Sequence, residues 1–321
     1  MKRTKAFLAA LSALCVTFSA MVSVSAADEL QDTTGGQSAE GDLTQYGARI
    51  GDNYYEDWID AIYHATGKTI TVLQDYTDPD NFVYFPIDCS TFQQYKEFTL
   101  DLNGHTINLG NRYMRIWNDM KITDSSNDHS GIIIANHKAI EVGPGYDATL
   151  DGVTVTSENN PITKDDSEKP TYYGTIVNQG NLTINNSNVT GGYEAIEIDG
   201  GKVTINGNST IEGKGVDAIY IHDNGAKLTV NNGNIINNIG YFAIAGAGDN
   251  GSDNYLGGTE INIINGTISA KEGTAIYLPQ YGEVKIEGGS ITGDETAIEI
   301  ESGKLNIIGG NFTAESDAFG I

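Results

Sequence analysis

Residues 194–319 repeat one short pattern, and this repeat constrains the fold more than any other feature of the chain. The runs AIEI, AIYI, AIAG, AIYL and AIEI open successive units. The leading alanines, with one near the end of the chain, follow at steps of 23, 25, 32, 22 and 21 residues: Ala195, Ala218, Ala243, Ala275, Ala297 and Ala318. A period of this length predicts an array of stacked units.

Within each unit the apolar residues alternate, which is typical of β-strands. Val203 and Ile205 show the alternation in KVTI, and the same unit holds two further runs, AIEI and STIE. Gly, Asn and Asp separate the runs and tolerate the left-handed backbone angles of tight corners. Three strands and three corners form one turn of a coil, so the sequence predicts an all-β, parallel β-helix solenoid. A leucine-rich repeat has a similar period, but these units lack its fixed leucine spacing.

One apolar position recurs in every turn. We take these residues as equivalent: Leu102, Ile122, Leu150, Ile184, Ile205, Val230, Ile263, Ile286 and Ile307. They predict about nine turns, which at a strand spacing of about 4.8 Å form a tube roughly 40 Å long. Asparagines fall at one corner of successive turns, where stacked amides would hydrogen-bond to one another: Asn185, Asn186, Asn206, Asn231, Asn232 and Asn265.

The N-terminus carries an export signal. Residues 1–27 have a basic start, an apolar run over 6–24 and small residues at 25–27. This is the pattern of a secretory signal peptide cleaved near Ala26 or Ala27, so we expect a secreted or cell-surface protein. Residues 28–45 are polar and predict a disordered leader.

The chain is strongly acidic. Its formal net charge of −25 becomes −25 − 3 = −28 when the three basic residues of the leader are removed. Such a surface repels nucleic acid and anionic membranes, so we expect neither a nucleic-acid partner nor membrane insertion. Only Cys89 remains after cleavage, because Cys15 lies in the leader, and no internal disulfide can form.

Residues 46–98 predict an N-terminal cap, and residues 99–321 the β-helix. The end of a β-helix exposes strand edges and apolar core, so terminal turns need a cover. We expect a short amphipathic helix over 56–65 to supply it. Its apolar face would hold Trp58, Ile59, Ile62 and Ala65.

The motifs WIDAI, KTITVLQD and FTLDLNGHTI, followed by repeats of the AIEI and KLNI kind, resemble bacterial secreted and surface proteins of the pectate-lyase-like superfamily. The resemblance covers residues 46–321 and implies a right-handed coil. It implies no single activity, because that superfamily includes lyases, glycoside hydrolases, tailspikes and adhesin-like modules. A related lyase needs a Lys or Arg base, but residues 174–321 contain no Arg, and their Lys residues are scattered over different corners and strands. The chain also has no Gly-His-Gly element like that of the related hydrolases.

A pair of carboxyl groups could also catalyse the hydrolysis of a glycosidic bond, which needs the two groups roughly 5 to 9 Å apart. Glu197 and Glu299 face outward but lie four turns apart, about 19 Å, which is too far. The closer constellation is Asp199 with His222 and Asp223 at a neighbouring corner.

A loop of oxygen-bearing residues is the one candidate metal site. Asp249 and Asp253 in DNGSDN could hold calcium, although the loop lacks the remainder of a twelve-residue calcium motif. We expect no other cofactor. The His residues show no zinc-binding spacing.

Outward aromatic residues predict the ligand surface. Tyr220 and Tyr277 stand on the AIxI strands with Glu197 and Glu299, and Tyr255 lies in an insertion. Aromatic faces on a rigid surface stack on sugar rings. We therefore expect a non-catalytic module that binds a polysaccharide, host glycan or host surface protein. The alternative is a secreted polysaccharide-degrading enzyme.

The final residues, DAFGI, align with the start of a tenth turn. Phe319 and Ile321 would then lie at an uncovered end. An open end predicts either that the sequence is a fragment or that its edge pairs with another chain.

Overall fold

The computed structural model describes residues 43–79, 86–90, 97–158, 174–222, 225–247 and 258–316. These residues form three long sheets of 12, 10 and 9 strands. Neighbouring strands within each sheet come from successive turns and pair in parallel, apart from two strands at the N-terminal edge. The parallel β-helix predicted from the repeat is confirmed.

The strands fall into the sheets as follows. Sheet A holds β1 (Ala48–Ile50), β2 (Asn53–Tyr55), β3 (Thr69–Val72), β6 (Phe98–Asp101), β9 (Met120–Thr123), β12 (Asp147–Asp151), β15 (Asn181–Asn185), β18 (Lys202–Asn206), β21 (Lys227–Val230), β24 (Thr259–Ile263), β27 (Gly282–Ile286) and β30 (Lys304–Ile307). Sheet B holds β4 (Tyr76–Thr77), β7 (Thr106–Asn108), β10 (Ile132–Ala135), β13 (Thr154–Ser157), β16 (Asn188–Gly191), β19 (Thr210–Gly213), β22 (Asn234–Asn237), β25 (Thr267–Ala270), β28 (Ser290–Gly293) and β31 (Asn311–Ala314). Sheet C holds β5 (Pro86–Cys89), β8 (Tyr113–Ile116), β11 (Ile140–Val142), β14 (Gly174–Asn178), β17 (Glu194–Ile198), β20 (Asp217–Ile221), β23 (Phe242–Gly246), β26 (Thr274–Leu278) and β29 (Thr296–Ile300).

The parallel stack begins earlier than the expected boundary at residue 99. Strand β3 pairs in parallel with β6, with Thr69 opposite Thr99, and β4 and β5 complete that turn. The described residues therefore form ten turns in sheets A and B instead of nine. The sequence count missed the first turn because residues 69–98 do not carry the regular repeat.

The equivalence assigned to Leu102 is wrong by two residues. Ile122 pairs with Leu100, and Leu100 pairs in turn with Ile70. A shift of two residues keeps the same face of the strand, so Leu102 is also fully buried. The corner between β6 and β7 holds four residues, two more than the corner between β12 and β13, which accounts for the shift.

The N-terminal end of the stack is covered by a hairpin and one short helix. Strands β1 and β2 pair antiparallel, and β1 adds to the edge of β3. Helix α1 runs over Trp58–Ile62, and its N-cap Asp57 accepts hydrogen bonds from two backbone N–H groups of the first turn. The helix is shorter than the predicted 56–65 because later bonds, such as His64 N to Ala61 O, take i to i−3 spacing. None of the described helices has the length and apolarity needed to cross a bilayer.

The corner after sheet A carries the predicted asparagine stack. Asn206 donates to Asn185 Oδ1 at 2.8 Å, and Asn231 donates to Asn206 Oδ1 at 2.6 Å. These bonds tie three successive turns together. The asparagines at this corner thus have the structural role expected of them.

Several sequence predictions concern residues outside the described ranges. These are the signal peptide, most of the leader, and the final residues Phe319 and Ile321. At the last described turn, Leu305 and Ile307 of β30 are partly exposed, whereas their counterparts in β27 are buried. Self-association through this end stays a prediction.

The inward and outward positions of one strand should differ sharply in their effect on stability. Ile205→Ala removes a fully buried side chain and should cost about 2–5 kcal/mol of unfolding free energy. The adjacent outward change Thr204→Ala is its matched control and should stay within about 0.5 kcal/mol. Urea unfolding followed by circular dichroism measures both, and equal losses would show that the assigned register is wrong.

Candidate functional site on sheet C

The predicted ligand residues share one outward column on sheet C. Glu197 pairs with Tyr220, Tyr220 with Ala245, Ala245 with Tyr277 and Tyr277 with Glu299. Glu197 and Glu299 are therefore four strands apart, as the repeat predicts. Neither Tyr220 nor Tyr277 is fully buried.

A second row of side chains lies at the first position of the same strands: Gly174, Glu194, Asp217, Phe242, Thr274 and Thr296. This row leans towards the outward column of the next turn. A Cβ placed on Gly174 would lie 2.9 Å from the Cβ of Glu197, and the ring of Phe242 stacks on Tyr277 with centroids 4.9 Å apart. We infer that the other first-position side chains lean in the same direction. Glu194 then faces Tyr220, and Asp217 faces Ala245, which are the outward residues of the next turns.

Glu194, Glu197 and Asp217 form what we term the carboxyl cluster. Glu194 is 7% exposed and Asp217 is 3% exposed. Burial, with the nearby carboxylates of Glu197 and Asp217, raises the pKa of Glu194 well above its ordinary value. Burial also raises the pKa of Asp217 to about 7. Two adjacent strands thus hold carboxyl groups that keep protons far above the usual pH range for such groups.

Sequence reasoning missed Glu194 and Asp217. The first position of these strands departs from simple alternation, because the next two residues, such as Ala195 and Ile196, are both buried. One signal was present: an acid stands directly before the AI pair in EAIEI and DAIYI, where later units have Thr or Phe.

His222 pairs with Glu197 in the structure, and not with Asp199. Its Nε2 lies 2.9 Å from Glu197 Oε1, while the Gly174 N–H donates to the other oxygen of Glu197 at 3.3 Å. Asp199 accepts a hydrogen bond from Gln179 Nε2 at 2.8 Å. The expected partner Asp223 lies outside the described residues.

Tyr220 lies against the carboxyl cluster. Its ring meets His222 edge to face, with centroids 4.8 Å apart. Burial is the main cause that raises the pKa of Tyr220 to about 12, followed by the charges of Glu194, Asp217 and Glu197. The phenol of Tyr220 therefore stays protonated.

On the two turns after Tyr220, three rings form what we term the aromatic patch: Tyr241, Phe242 and Tyr277. Tyr241 is 63% exposed and tilts against Phe242, with centroids 6.3 Å apart. The Tyr277 hydroxyl donates to Glu301 at 2.8 Å, which fixes the ring that Phe242 stacks on. Tyr220 and Tyr277 are separated by two strand spacings, about 10 Å.

The remaining candidates fall outside the described ranges. They are Tyr255 of the insertion and Asp249 and Asp253 of the proposed calcium loop. Within the residues that are described, no group of three or more His, Cys, Asp or Glu is arranged to hold a metal ion.

The chain matches no protein-family model, no curated protein and no solved structure. Its architecture places it in the class of parallel β-helix proteins. Because no similar protein was found, its function is inferred from the geometry of sheet C.

The raised pKa of Asp217 predicts a pH-dependent stability. The folded protein holds this proton up to about pH 7, whereas the unfolded chain releases it near the ordinary value of 3.8. The stabilising contribution is thus present at low pH and is lost as the pH rises through about 7. Asp217→Asn cannot titrate, so at about pH 8 it should be more stable than the wild type, on the order of 2–4 kcal/mol.

Urea unfolding of both proteins across this pH range measures the difference. Glu283→Gln, an exposed change on sheet A, is the control and should follow the wild type at every pH. If Asp217→Asn also follows the wild type, then Asp217 is not the buried acid described above.

Proposed function

We propose that this protein is a secreted or cell-surface β-helix module, bacterial and adhesin-like, that binds glycan on the outer face of sheet C. The observation that carries the proposal is the aromatic patch beside the carboxyl cluster on one rigid face. We further propose that the chain belongs to the pectate-lyase-like superfamily of right-handed β-helices, which its N-terminal motifs resemble.

The chemistry of this face suits a sugar chain. Aromatic rings stack on the apolar faces of sugar rings, and carboxylates accept hydrogen bonds from sugar hydroxyls. Tyr241 offers an exposed ring, while Glu197, with 16% of its side chain exposed, offers a partly accessible carboxylate. The sheet that carries both is fixed by parallel pairing, so little ordering is needed on binding.

The proposed position of the protein outside the cell is supported by the leader-like residues 1–27. The acidic surface keeps such a protein soluble and apart from nucleic acid. A neutral or basic glycan is favoured as ligand over an anionic one for the same electrostatic reason.

The carboxyl cluster also favours a second candidate function, the hydrolysis of a glycosidic bond. Glu194 and Asp217 lie directly opposite each other on adjacent strands, whose backbones are about 4.8 Å apart, and one could act as acid while the other acts as base or nucleophile. Both side chains are nearly buried, which limits the access of a substrate to them. Binding without turnover therefore remains our leading proposal.

Removal of one ring of the aromatic patch should weaken glycan binding. Tyr277→Ala deletes the ring on which Phe242 stacks, and loss of one stacking platform should lower affinity about 2- to 12-fold. The matched control is Tyr63→Ala, which removes a half-exposed tyrosine at the end of helix α1, away from sheet C. A glycan array followed by titration calorimetry on the best ligand measures both variants.

Two results would overturn this proposal. Equal binding by Tyr277→Ala and the wild type would remove the aromatic patch from the ligand surface. Release of reducing ends from the bound polysaccharide, abolished by Asp217→Asn, would replace the binding function with the hydrolase.

A further inference from the structure

One oxygen of the carboxyl cluster has no hydrogen-bond partner. Asp217 is 3% exposed, and its Oδ1 contacts no donor. A buried polar atom without a partner costs free energy, and such atoms are rare in folded proteins. Asp217 Oδ1 is the one such atom on a buried carboxyl group among the described residues.

Several carboxyl groups surround this oxygen. Glu194 lies opposite Asp217 on the neighbouring strand, and the charge of Asp217 acts on both Glu194 and Tyr220. The other titratable groups near the cluster are Tyr193 and His222. His222 is bound to Glu197, so an ionised Asp217 would attract a further positive group.

We propose that the carboxyl cluster binds the ammonium group of an amine-bearing glycan, with Asp217 Oδ1 as one acceptor and the Tyr220 ring as one wall. This inference rests on the proposed function and names the chemical class of its ligand, a glycan with free amino groups.

An ammonium fits the site better than a metal ion does. It carries three donors and no acceptor, so it can satisfy the free oxygen of Asp217 together with a second carboxylate. A cation beside a tyrosine ring gains further attraction from the π-electrons of the ring. A metal ion would need several converging ligands, and the described residues provide no such group.

We place the entrance of this site beside Glu197 and His222, because their side chains are partly exposed. The side chain of His222 is 34% exposed and that of Glu197 is 16% exposed, whereas Glu194 and Asp217 are buried. A sugar stacked along the outward column would direct its amine past Tyr220 towards Asp217. Tyr220 and the aromatic patch then hold the neighbouring rings of the same chain.

Binding of an ammonium must displace protons. In the free protein Asp217 holds its proton below about pH 7, because burial disfavours the carboxylate. A bound ammonium favours the carboxylate and lowers this pKa, so the proton leaves for the buffer. Proton release is thus a signature of amine binding at this cluster, and a purely structural carboxyl pair would not produce it.

The test compares glucosamine oligomers with N-acetylglucosamine oligomers of equal length by titration calorimetry at about pH 6, in buffers of different ionisation enthalpy. We expect the amine oligomer to bind about tenfold more tightly or better, as charged hydrogen bonds imply, and to release about one proton per site. The N-acetylated oligomer should release none.

Asp217→Asn should abolish the proton release and bring the affinity ratio of the two oligomers close to one. Its fold is checked independently by urea unfolding, and Glu283→Gln on sheet A should keep both the ratio and the proton release of the wild type. Equal binding of both oligomers to the wild type would overturn this inference and leave glycan binding intact. If neither oligomer nor any other glycan binds, the proposed function itself fails.

Discussion

The parallel hydrogen bonding of each strand to its equivalent in the next turn is the constraint on which the whole structure depends. Because Val203 lies opposite Leu182 and Leu228, and Ile205 opposite Ile184 and Val230, every inward position forms a continuous apolar column. The same register sends every outward position to one line on the surface. A residue's place in its turn therefore decides both whether it is buried and which residues it meets.

On sheet C, the regular stacking of turns brings side chains of neighbouring turns into contact. Each first-position side chain leans on the outward residue of the following turn, so a Gly, an acid or an aromatic residue there changes what its neighbour can do. Gly174 leaves room for Glu197, and Phe242 supports Tyr277. Glu194 and Asp217 take the same positions in between, and their burial is an energetic cost that the surrounding turns must offset. Such costs concentrate where a protein binds or reacts.

Period and alternation were sufficient to predict the β-helix, its asparagine stack and the outward column of Glu197, Tyr220 and Tyr277. They were insufficient wherever the chain departs from the repeat. The first turn and the place of Leu100 depend on corner lengths, which composition does not determine. Glu194 and Asp217 were missed because the strand start before Ala195 breaks the two-residue period, and His222 reaches Glu197 on the turn below instead of its near neighbour Asp199. Contacts between turns depend on side-chain direction, which periodicity alone does not give.

The most direct test of the register is a distance measurement between spin labels on the outer face of sheet A. Thr149 and Lys285 are related by five successive strand pairings, so double electron–electron resonance should give about 24 Å between their backbone sites. Moving the first label to Thr183 removes one pairing and should shorten the mean distance by about 5 Å. An unchanged or longer distance would contradict the stacking of these turns, and with it the assembly of the carboxyl cluster and aromatic patch on sheet C.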